Sequence, residues 1–479
     1  MRPASTADQL SLPLVDEAAP VLPQIGVAPE WKDQPRLWGH SFHPMCSYLA
    51  SFPASLAHAF VGRYSRRGDV VLDPFSGRGT TPLQACAEGR IGVGNDLNPF
   101  AHLLTAAKVE PAGRADVATR VAALRLGWAA SAPEWIAVAE SVMVAAASPD
   151  AGDGARVPAA GSRPRPVGDP LPTASSNRGE LVPAEVALAF HPRTLAQLLF
   201  VRATLDIDDR TDRFLAAALT GILHGKSASY LSPLMPNTFS MAPRYVRDFA
   251  ARTGFAAPER DVFAGLERKL ARLHRDPLPT APGIALLGDA RDAAGRARAA
   301  LRERALPERV RLVVTSPPYL RVVKYGYYNW LRTWLLGFDA KEIDATLDDA
   351  HHRAPYLAFL GDVLADLRSV LADDAIVVLV IGDVETDRGR PIPASAVDLA
   401  ERVWEAAARP AGYRLAGVAR DEIAAGRKMT KLWGAEAGQA TKADRILVLG
   451  ATEAGRRRAI ASATTPIDWA WPPRGLRPL

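Results

Sequence analysis

Two consecutive strand–turn–helix patterns constrain the fold of this chain more than any other feature. In the first, "VVLDPFSGRGTT" (residues 70–81) runs from an apolar stretch through a glycine-rich turn to the start of a helix. In the second, "IGVGNDLNPFAHLLTAAKV" (residues 91–109) places a strand that ends at Asp96 ahead of a helix that follows Asn98–Pro99. Strands that alternate with helices are typical of a parallel α/β sheet. The sequence therefore predicts a doubly wound, mostly parallel sheet.

The predicted sheet is interrupted after its second strand by a largely helical stretch. Within it, residues 146–182 have the Gly/Pro/Ser/Ala bias of a flexible linker. Strand patterns then return at residues 283–292, 309–320, 375–384, 413–423 and 444–450. The predicted organisation is an irregular lead-in (1–35), a first half of the sheet domain (36–110), a helical insertion (111–275) and a second half (276–479).

Composition limits the class of protein. A chain of 479 residues with 48% hydrophobic and 23% charged residues is expected to be soluble, with two or three domains. No apolar run is long enough to cross a bilayer, and the N-terminus lacks the apolar core of a secretion signal, so a cytoplasmic location is expected. Cys46 and Cys86 are too few for a disulfide framework or a structural zinc site. The net charge of +6 permits a nucleic-acid partner without requiring one.

Three aspartates follow three predicted strands. Asp73, Asp96 and Asp289 each stand at or near the carboxyl end of a strand, where open α/β sheets bind ligands. The turn after Asp73 has neither the Lys-Ser/Thr pair of a phosphate-binding loop nor the G-x-G-x-x-G spacing. Carboxylates suit a nucleoside that carries positive charge, so S-adenosylmethionine fits better than NAD or ATP. The alternative is that the three side chains are unrelated helix caps.

A rigid corner ends the predicted fourth strand. In "VVTSPPYL" (residues 313–320), Pro317 and Pro318 cannot extend a sheet ladder, and they hold Ser316 and Tyr319 in set directions. Read alone, the corner is equally well explained as a strand terminator.

Together these motifs resemble those of the amino-group DNA methyltransferases, which use S-adenosylmethionine to methylate cytosine N4 or adenine N6. The resemblance rests on "DPFSGRGTT" and "TSPPY", and it covers residues 40–110 and 283–325 with a looser likeness to about residue 450. "FHPMCSYLASFP" (residues 42–53) is similar to the segment that holds the methionine end of the cofactor in that family. The resemblance implies a Rossmann-like methyltransferase sheet.

The resemblance also implies roles for individual residues. The cofactor-binding set is His43, Phe52, Pro53, Asp73, Phe75, Gly77, Gly79, Thr80, Thr81, Asp96 and Asp289. Within it, Asp96 would accept the ribose hydroxyls, Asp289 the adenine amino group, and the two threonines would lie near the carboxylate end. His43 is more often expected as a packing residue. The catalytic set is Ser316, Pro317, Pro318 and Tyr319.

The chemistry of an exocyclic base amine explains why such a corner is useful. The amine is a poor nucleophile, and acceptors such as the Ser316 hydroxyl and the Pro317 carbonyl would grip its hydrogens and stabilise the developing positive charge. The base must leave the duplex to be reached, and Tyr319 is placed to stack on it. No metal is required. In the family that the chain resembles, serine at the first position of the corner is commoner among cytosine N4 enzymes, so the resemblance favours cytosine N4, with adenine N6 as the alternative.

Other readings stay open at this point. An RNA or tRNA base methyltransferase and a non-catalytic cofactor-binding protein are the competing classes. Double-stranded DNA is the expected partner, with a cognate restriction endonuclease or a defence-system protein as a possible second one. The insertion is a hypothetical target-recognition element. Residues 320–337, "LRVVKYGYYNWLRTWLLG", suit a nucleic-acid surface and a core-packing helix about equally.

Overall fold

A computed structural model of the chain describes most of its residues. The described ranges are 21–49, 51–146, 158–159, 180–225, 227–234, 242–318, 324–347, 353–382, 386–387, 390–391, 399–422 and 443–472. Within them, no helix is long and apolar enough to cross a membrane.

A seven-stranded sheet forms the centre of the fold. Its strands are β1 (Val70–Asp73), β2 (Ile91–Asp96), β3 (Gly283–Leu287), β4 (Val310–Thr315), β5 (Leu371–Gly382), β6 (Arg414–Glu422) and β7 (Ala443–Gly450). Their order is β6-β7-β5-β4-β1-β2-β3, and all neighbours are parallel except the two pairs that involve β7. Two short antiparallel pairs lie apart from it, Pro158–Ala159 with Glu180–Leu181 and Thr386–Asp387 with Arg390–Pro391. The predicted mostly parallel, Rossmann-like sheet is confirmed.

Helices fill the connections between these strands. The first half contains α1 (Ala54–Tyr64), α2 (Thr80–Ala87) and α3 (Pro99–Val109). Between β2 and β3 lie α4 (Arg114–Ala146), α5 (Ala184–Ala189), α6 (Pro192–Thr204), α7 (Arg210–Thr220), α8 (Pro243–Thr253) and α9 (Val262–Leu273). The second half contains α10 (Ala293–Glu303), α11 (Tyr325–Tyr328), α12 (Trp330–Leu335), α13 (Ala340–Thr346), α14 (Arg353–Leu367), α15 (Leu399–Val403) and α16 (Glu453–Ser462). Short 3₁₀ turns occur at Glu30–Asp33 and Ala290–Asp292, and a π-helical turn at Trp404–Ala408. A largely helical insertion therefore splits the sheet, as predicted.

The direction in which the sheet is built reverses between β1 and β4. From β1 the chain moves outward through β2 and β3, and it then returns to β4 and moves outward the other way through β5. Ligands of such sheets bind outside the carboxyl ends of the strands at this reversal. The glycine-rich loop after β1 and the proline corner after β4 therefore meet at the same edge of the sheet.

The insertion shares a hydrophobic core with the sheet domain. Phe42, from the segment ahead of α1, packs edge-on against Phe214 of α7 with ring centroids 5.3 Å apart. The same buried cluster contains Phe100 of α3, Phe200 of α6 and Trp334 of α12. Removal of the insertion would expose this apolar surface to water, so the helices contribute to the fold whatever else they do.

The described part of the lead-in is irregular in backbone but firmly packed. Trp31 is buried beneath α1, with its ring 5.8 Å from that of Phe60. The amide of Ile25 donates a hydrogen bond to the carbonyl of Val418 in β6. Residues 1–20 of the predicted lead-in lie outside the described residues.

Candidate active site

Asp73 links the two motifs that meet at the sheet edge. Its carboxylate accepts a 2.6 Å hydrogen bond from the Thr315 hydroxyl at the end of β4 and a 3.1 Å bond from the Phe75 amide. The side chain is buried, and burial raises its pKa to about 7, although these hydrogen bonds act in the opposite direction. A buried carboxylate that is only partly ionised near neutral pH is suited to gain charge when a cationic ligand arrives.

Asp96 organises the glycine-rich loop from the neighbouring strand. One carboxylate oxygen accepts from the Gly77 amide at 2.8 Å, and the other accepts from the Asn98 amide at 2.9 Å. Burial is the main reason that the pKa of Asp96 is raised to about 6. β1 and β2 are neighbours in the sheet and Asp73 pairs with Gly94, so Asp96 stands two residues further along the adjacent strand, at the same edge of the sheet.

Gly79 begins α2 in the left-handed region, at φ +74°, and no larger residue fits there. A Cβ at Gly79 would lie 2.9 Å from the Cα of Thr105 in α3, and a Cβ at Gly68 (φ +85°) would meet nothing within 4 Å. We expect Gly68→Ala to lower the free energy of unfolding by about 1–2 kcal/mol from backbone strain alone. The additional overpacking in Gly79→Ala adds about 1–3 kcal/mol.

Urea unfolding of the two glycine variants measures this difference. Equal losses for Gly68→Ala and Gly79→Ala would contradict the close approach of the loop to α3.

An aromatic pair covers the loop. The rings of Tyr48 and Tyr325 stack with their centroids 5.6 Å apart and an interplanar angle of 19°. The Tyr48 hydroxyl accepts a 3.1 Å hydrogen bond from the side-chain amide of Asn98, and a Cβ at Gly77 would touch the Tyr48 ring at 3.5 Å. Sequence reasoning missed this pair, although both residues fall in stretches that it singled out. The only indication of this contact in the sequence is that both stretches contain tyrosine.

The proline corner brings an unpartnered hydroxyl to the end of β4. The Ser316 Oγ is buried and makes no hydrogen bond with any described residue. Pro317 is buried and Pro318 is half-buried, and their rings restrict the backbone that follows Ser316. Tyr319, the fourth predicted catalytic residue, lies outside the described residues.

Asp289 lies two residues beyond the end of β3 and is already engaged. Arg291 donates to both of its carboxylate oxygens, and this pairing is the first cause of the lowered pKa of Asp289. The guanidinium carbon of Arg291 also lies 5.6 Å from the centre of the Phe359 ring, which in turn is 5.8 Å from the ring of Phe75. The Arg291 amide and Nε donate to Oδ1, and Nε and a terminal nitrogen donate to Oδ2, so an amino group would have to replace part of this pairing.

The threonines of the loop differ in how they are used. The Thr81 hydroxyl is buried and donates to the carbonyl of Val314, which ties α2 to β4. The Thr80 hydroxyl accepts a 3.3 Å hydrogen bond from Nε of Arg78 in the loop.

The predicted methionine-end segment precedes α1 and contacts α2. His43 is buried, its Nε2 is 2.8 Å from Oε1 of Gln84 in α2, and its Nδ1 has no partner among the described residues. Burial holds the pKa of His43 well below its usual range, which favours the neutral ring. Phe52 is half-buried against the core, and Pro53 is exposed immediately before α1.

The basic and aromatic segment after the corner is divided between core and surface. Trp330 and Trp334 are buried, as the core-packing alternative predicts, and the buried Arg332 donates to the carbonyl of Ser47. Lys324 and Tyr327 are exposed. Residues 319–323, 348–352 and 423–442, which include other basic and histidine candidates, lie outside the described residues.

Comparison with known sequences identifies the class of the N-terminal part. Residues 29–107 match the N6/N4 methyltransferase family, described as DNA methylase. The Type II methyltransferase M.MjaII of Methanocaldococcus jannaschii is 35% identical over 71 residues, which are 15% of this chain and 13% of that protein. M.MthZI of Methanothermobacter thermautotrophicus is 45% identical over 49 residues, which are 10% of this chain and 14% of that protein. The resemblance to the amino-group DNA methyltransferases is confirmed. The matched part of this chain spans about a seventh of the length of each of these relatives.

Solved structures show weaker similarity. TrmN from Thermus thermophilus is 13% identical with a TM-score of 0.28, over 85% of this chain and 52% of that chain. The rRNA methyltransferase aviRa from Streptomyces viridochromogenes is 12% identical with a TM-score of 0.29, over 88% and 94%.

Proposed function

We propose that this protein is an S-adenosylmethionine-dependent DNA methyltransferase that modifies the exocyclic amine of a flipped base, with cytosine N4 preferred. The observation that carries the proposal is the buried Oγ of Ser316, which makes no hydrogen bond within the described part of the chain. An unsatisfied buried hydroxyl is unfavourable, and it is retained where a ligand completes its hydrogen bonds. The next residue of the corner, Pro317, offers a carbonyl acceptor but no amide donor.

The residues on the other side of the corner fit the proposed methyl donor. S-adenosylmethionine, when bound, supplies a methyl group on a positively charged sulfur. Asp73 is a buried and Asp96 a half-buried carboxylate at adjacent strand ends, and Gly77 and Gly79 give a loop that a ligand can approach closely. We propose that Asp96 holds ribose hydroxyls and Asp289 an amino group.

The residues of the chain would contribute mainly positioning and electrostatics. The Ser316 hydroxyl and the Pro317 carbonyl accept hydrogen bonds from the target amine. These bonds localise the lone pair on the amine nitrogen and stabilise the positive charge that the nitrogen acquires. The Thr315–Asp73 hydrogen bond fixes the distance between the corner and the donor loop. We propose that Tyr319 stacks on the extruded base.

The proposed partners follow from this activity. Double-stranded DNA in the cytoplasm is the substrate, and a cognate restriction endonuclease or defence-system protein is a further proposed partner. The relatives named above are Type II methyltransferases, which supports this assignment. We propose that the helical insertion contributes to the choice of target sequence, in addition to its part in the shared core.

Transfer of a labelled methyl group to duplex DNA or to tRNA tests the proposal. We expect label in duplex DNA and none in tRNA, and the Ser316→Ala variant provides the matched control for contaminating activity. Label in tRNA alone would refute a DNA substrate and favour an RNA base methyltransferase.

Donor affinity is expected to depend on pH because of the two buried carboxylates. The raised pKa values of Asp73 (about 7) and Asp96 (about 6) mean that both lose charge as the pH falls from 8 to 5. A cationic donor binds the ionised forms better, so its affinity should fall over this range and binding near pH 6.5 should release protons. Calorimetry in buffers of different ionisation enthalpy measures both effects, and an affinity that is flat from pH 8 to 5 would contradict them.

A further inference from the structure

Three cationic side chains lie at or near the glycine-rich loop, and none of them is paired with a carboxylate among the described residues. Arg78 lies in the loop between its two glycines, Lys108 lies near the end of α3, and Lys269 lies on α9 of the insertion. The Lys108 ammonium donates to the main-chain carbonyl of Arg78, and Lys269 donates at 2.9 Å to the carbonyl of Pro44. These contacts bring α3, the insertion and the predicted methionine-end segment together at the loop.

The burial of these charges is unusual. Lys108 is fully buried and Lys269 is 7% exposed, and neither forms an ion pair within the described ranges. Burial lowers the pKa of both lysines, and repulsion from Arg78 adds to this for Lys108. The large lowering of the Lys108 pKa favours its neutral amine, so Arg78 carries the main positive charge at the loop.

Arg78 is the member of the cluster that a ligand can reach. It is half-buried, and its Nε donates to the Thr80 hydroxyl. Its two terminal nitrogens have no hydrogen-bond acceptor among the residues that the structure describes. The planar guanidinium matches a carboxylate, which it can bind through two parallel hydrogen bonds.

We propose that Arg78 binds the α-carboxylate of the methyl donor, with Lys108 and Lys269 as positioning residues that hold the loop and the main chain at Pro44. This inference rests on the proposed function. The donor carries a carboxylate as well as cationic groups. The acids at two strand ends suit the cationic groups, and the Arg78 guanidinium suits the carboxylate. A DNA phosphate is less suitable, since two of the three cations are inaccessible from the surface.

The selectivity of binding tests the assignment. Calorimetry compares S-adenosylmethionine with its decarboxylated analogue in the full chain, in Arg78→Met and in Arg244→Met, a control that changes an arginine 88% exposed on α8. We expect the wild type and the control to bind the analogue about 10- to 100-fold more weakly than the complete donor. Arg78→Met should bind the two ligands about equally, with the affinity that the wild type shows for the decarboxylated analogue.

Further arms keep the outcomes distinct. Arg78→Lys retains the charge without the two parallel donors of the guanidinium, so its preference for the complete donor over the analogue should be intermediate. This variant also tests the inference if Arg78→Met does not fold. Lys108→Met should reduce discrimination without abolishing it.

Equal weakening of both ligands by Arg78→Met would assign Arg78 to loop structure and overturn the inference. Loss of duplex DNA affinity, measured by fluorescence anisotropy, with unchanged donor discrimination would overturn it in favour of a phosphate contact. Absence of donor binding in the wild type would overturn the proposed function itself.

Discussion

Replacement of Ser316 by alanine is expected to reduce methyl transfer on the order of 100-fold while donor affinity stays within about twofold of wild type. The reason is that the Ser316 hydroxyl has no partner among the residues that the structure describes and so is available to the target amine. Its loss removes an interaction made with the reacting group and leaves the donor loop intact. The split between single-turnover rate and calorimetric affinity measures this effect.

Ser65→Ala is the matched control for the Ser316 variant. Ser65 is also a buried serine, but it precedes β1 at the opposite edge of the sheet and donates to the carbonyl of Val61. The control should retain full turnover. Full turnover in Ser316→Ala would remove the corner from the mechanism, and a large loss of donor affinity would make its role structural.

Replacement of Asp73 by asparagine is expected to have opposite effects on binding and on stability. The amide oxygen can still accept from Thr315 and Phe75, so the local hydrogen bonds are kept while the charge is lost. Donor affinity should fall at least about 100-fold, since a buried carboxylate beside a cationic ligand contributes strongly. Calorimetry measures this loss.

The stability effect of Asp73→Asn depends on pH in a defined direction. The pKa of Asp73, about 7, lies above its value in the unfolded chain, so stability is lost as the pH rises through this range and the carboxyl ionises. The variant avoids this loss, and its melting temperature should exceed that of the wild type increasingly from pH 5 to pH 8. A variant that is less stable than wild type at pH 8, or that binds the donor normally, would contradict this role of Asp73.

The local elements of the fold were predictable because each has a strong signal in the sequence. Strand β1 is a continuous apolar run that ends in a glycine-rich turn, and the asparagine and proline at 98–99 mark the start of α3. The placement of the two motifs at one edge also followed from the rule for parallel sheets. β5 begins earlier than its apolar run suggests, at Leu371, because Leu371 pairs with Val310 of β4 ahead of a register shift to the Leu312–Ile376 pair.

Contacts between distant parts of the chain could not be predicted from periodicity or spacing. The stack of Tyr48 on Tyr325 joins residues far apart in sequence. The pairing of Asp289 with Arg291 is local, but a strand pattern does not show that these two side chains meet. The burial of Trp330 required knowledge that the insertion covers α12, and periodicity alone left core and surface equally open. The individual roles of the site residues remain predictions.

The identity of the modified base tests the central claim most directly. Duplex DNA incubated with the purified chain and S-adenosylmethionine is digested to nucleosides and analysed by mass spectrometry. The account predicts N4-methyl-2′-deoxycytidine, absent when Ser316→Ala replaces the wild type under the same conditions. N6-methyl-2′-deoxyadenosine would overturn the preference for cytosine, and a digest without any methylated exocyclic amine, from a chain that binds the donor, would contradict the proposed mechanism.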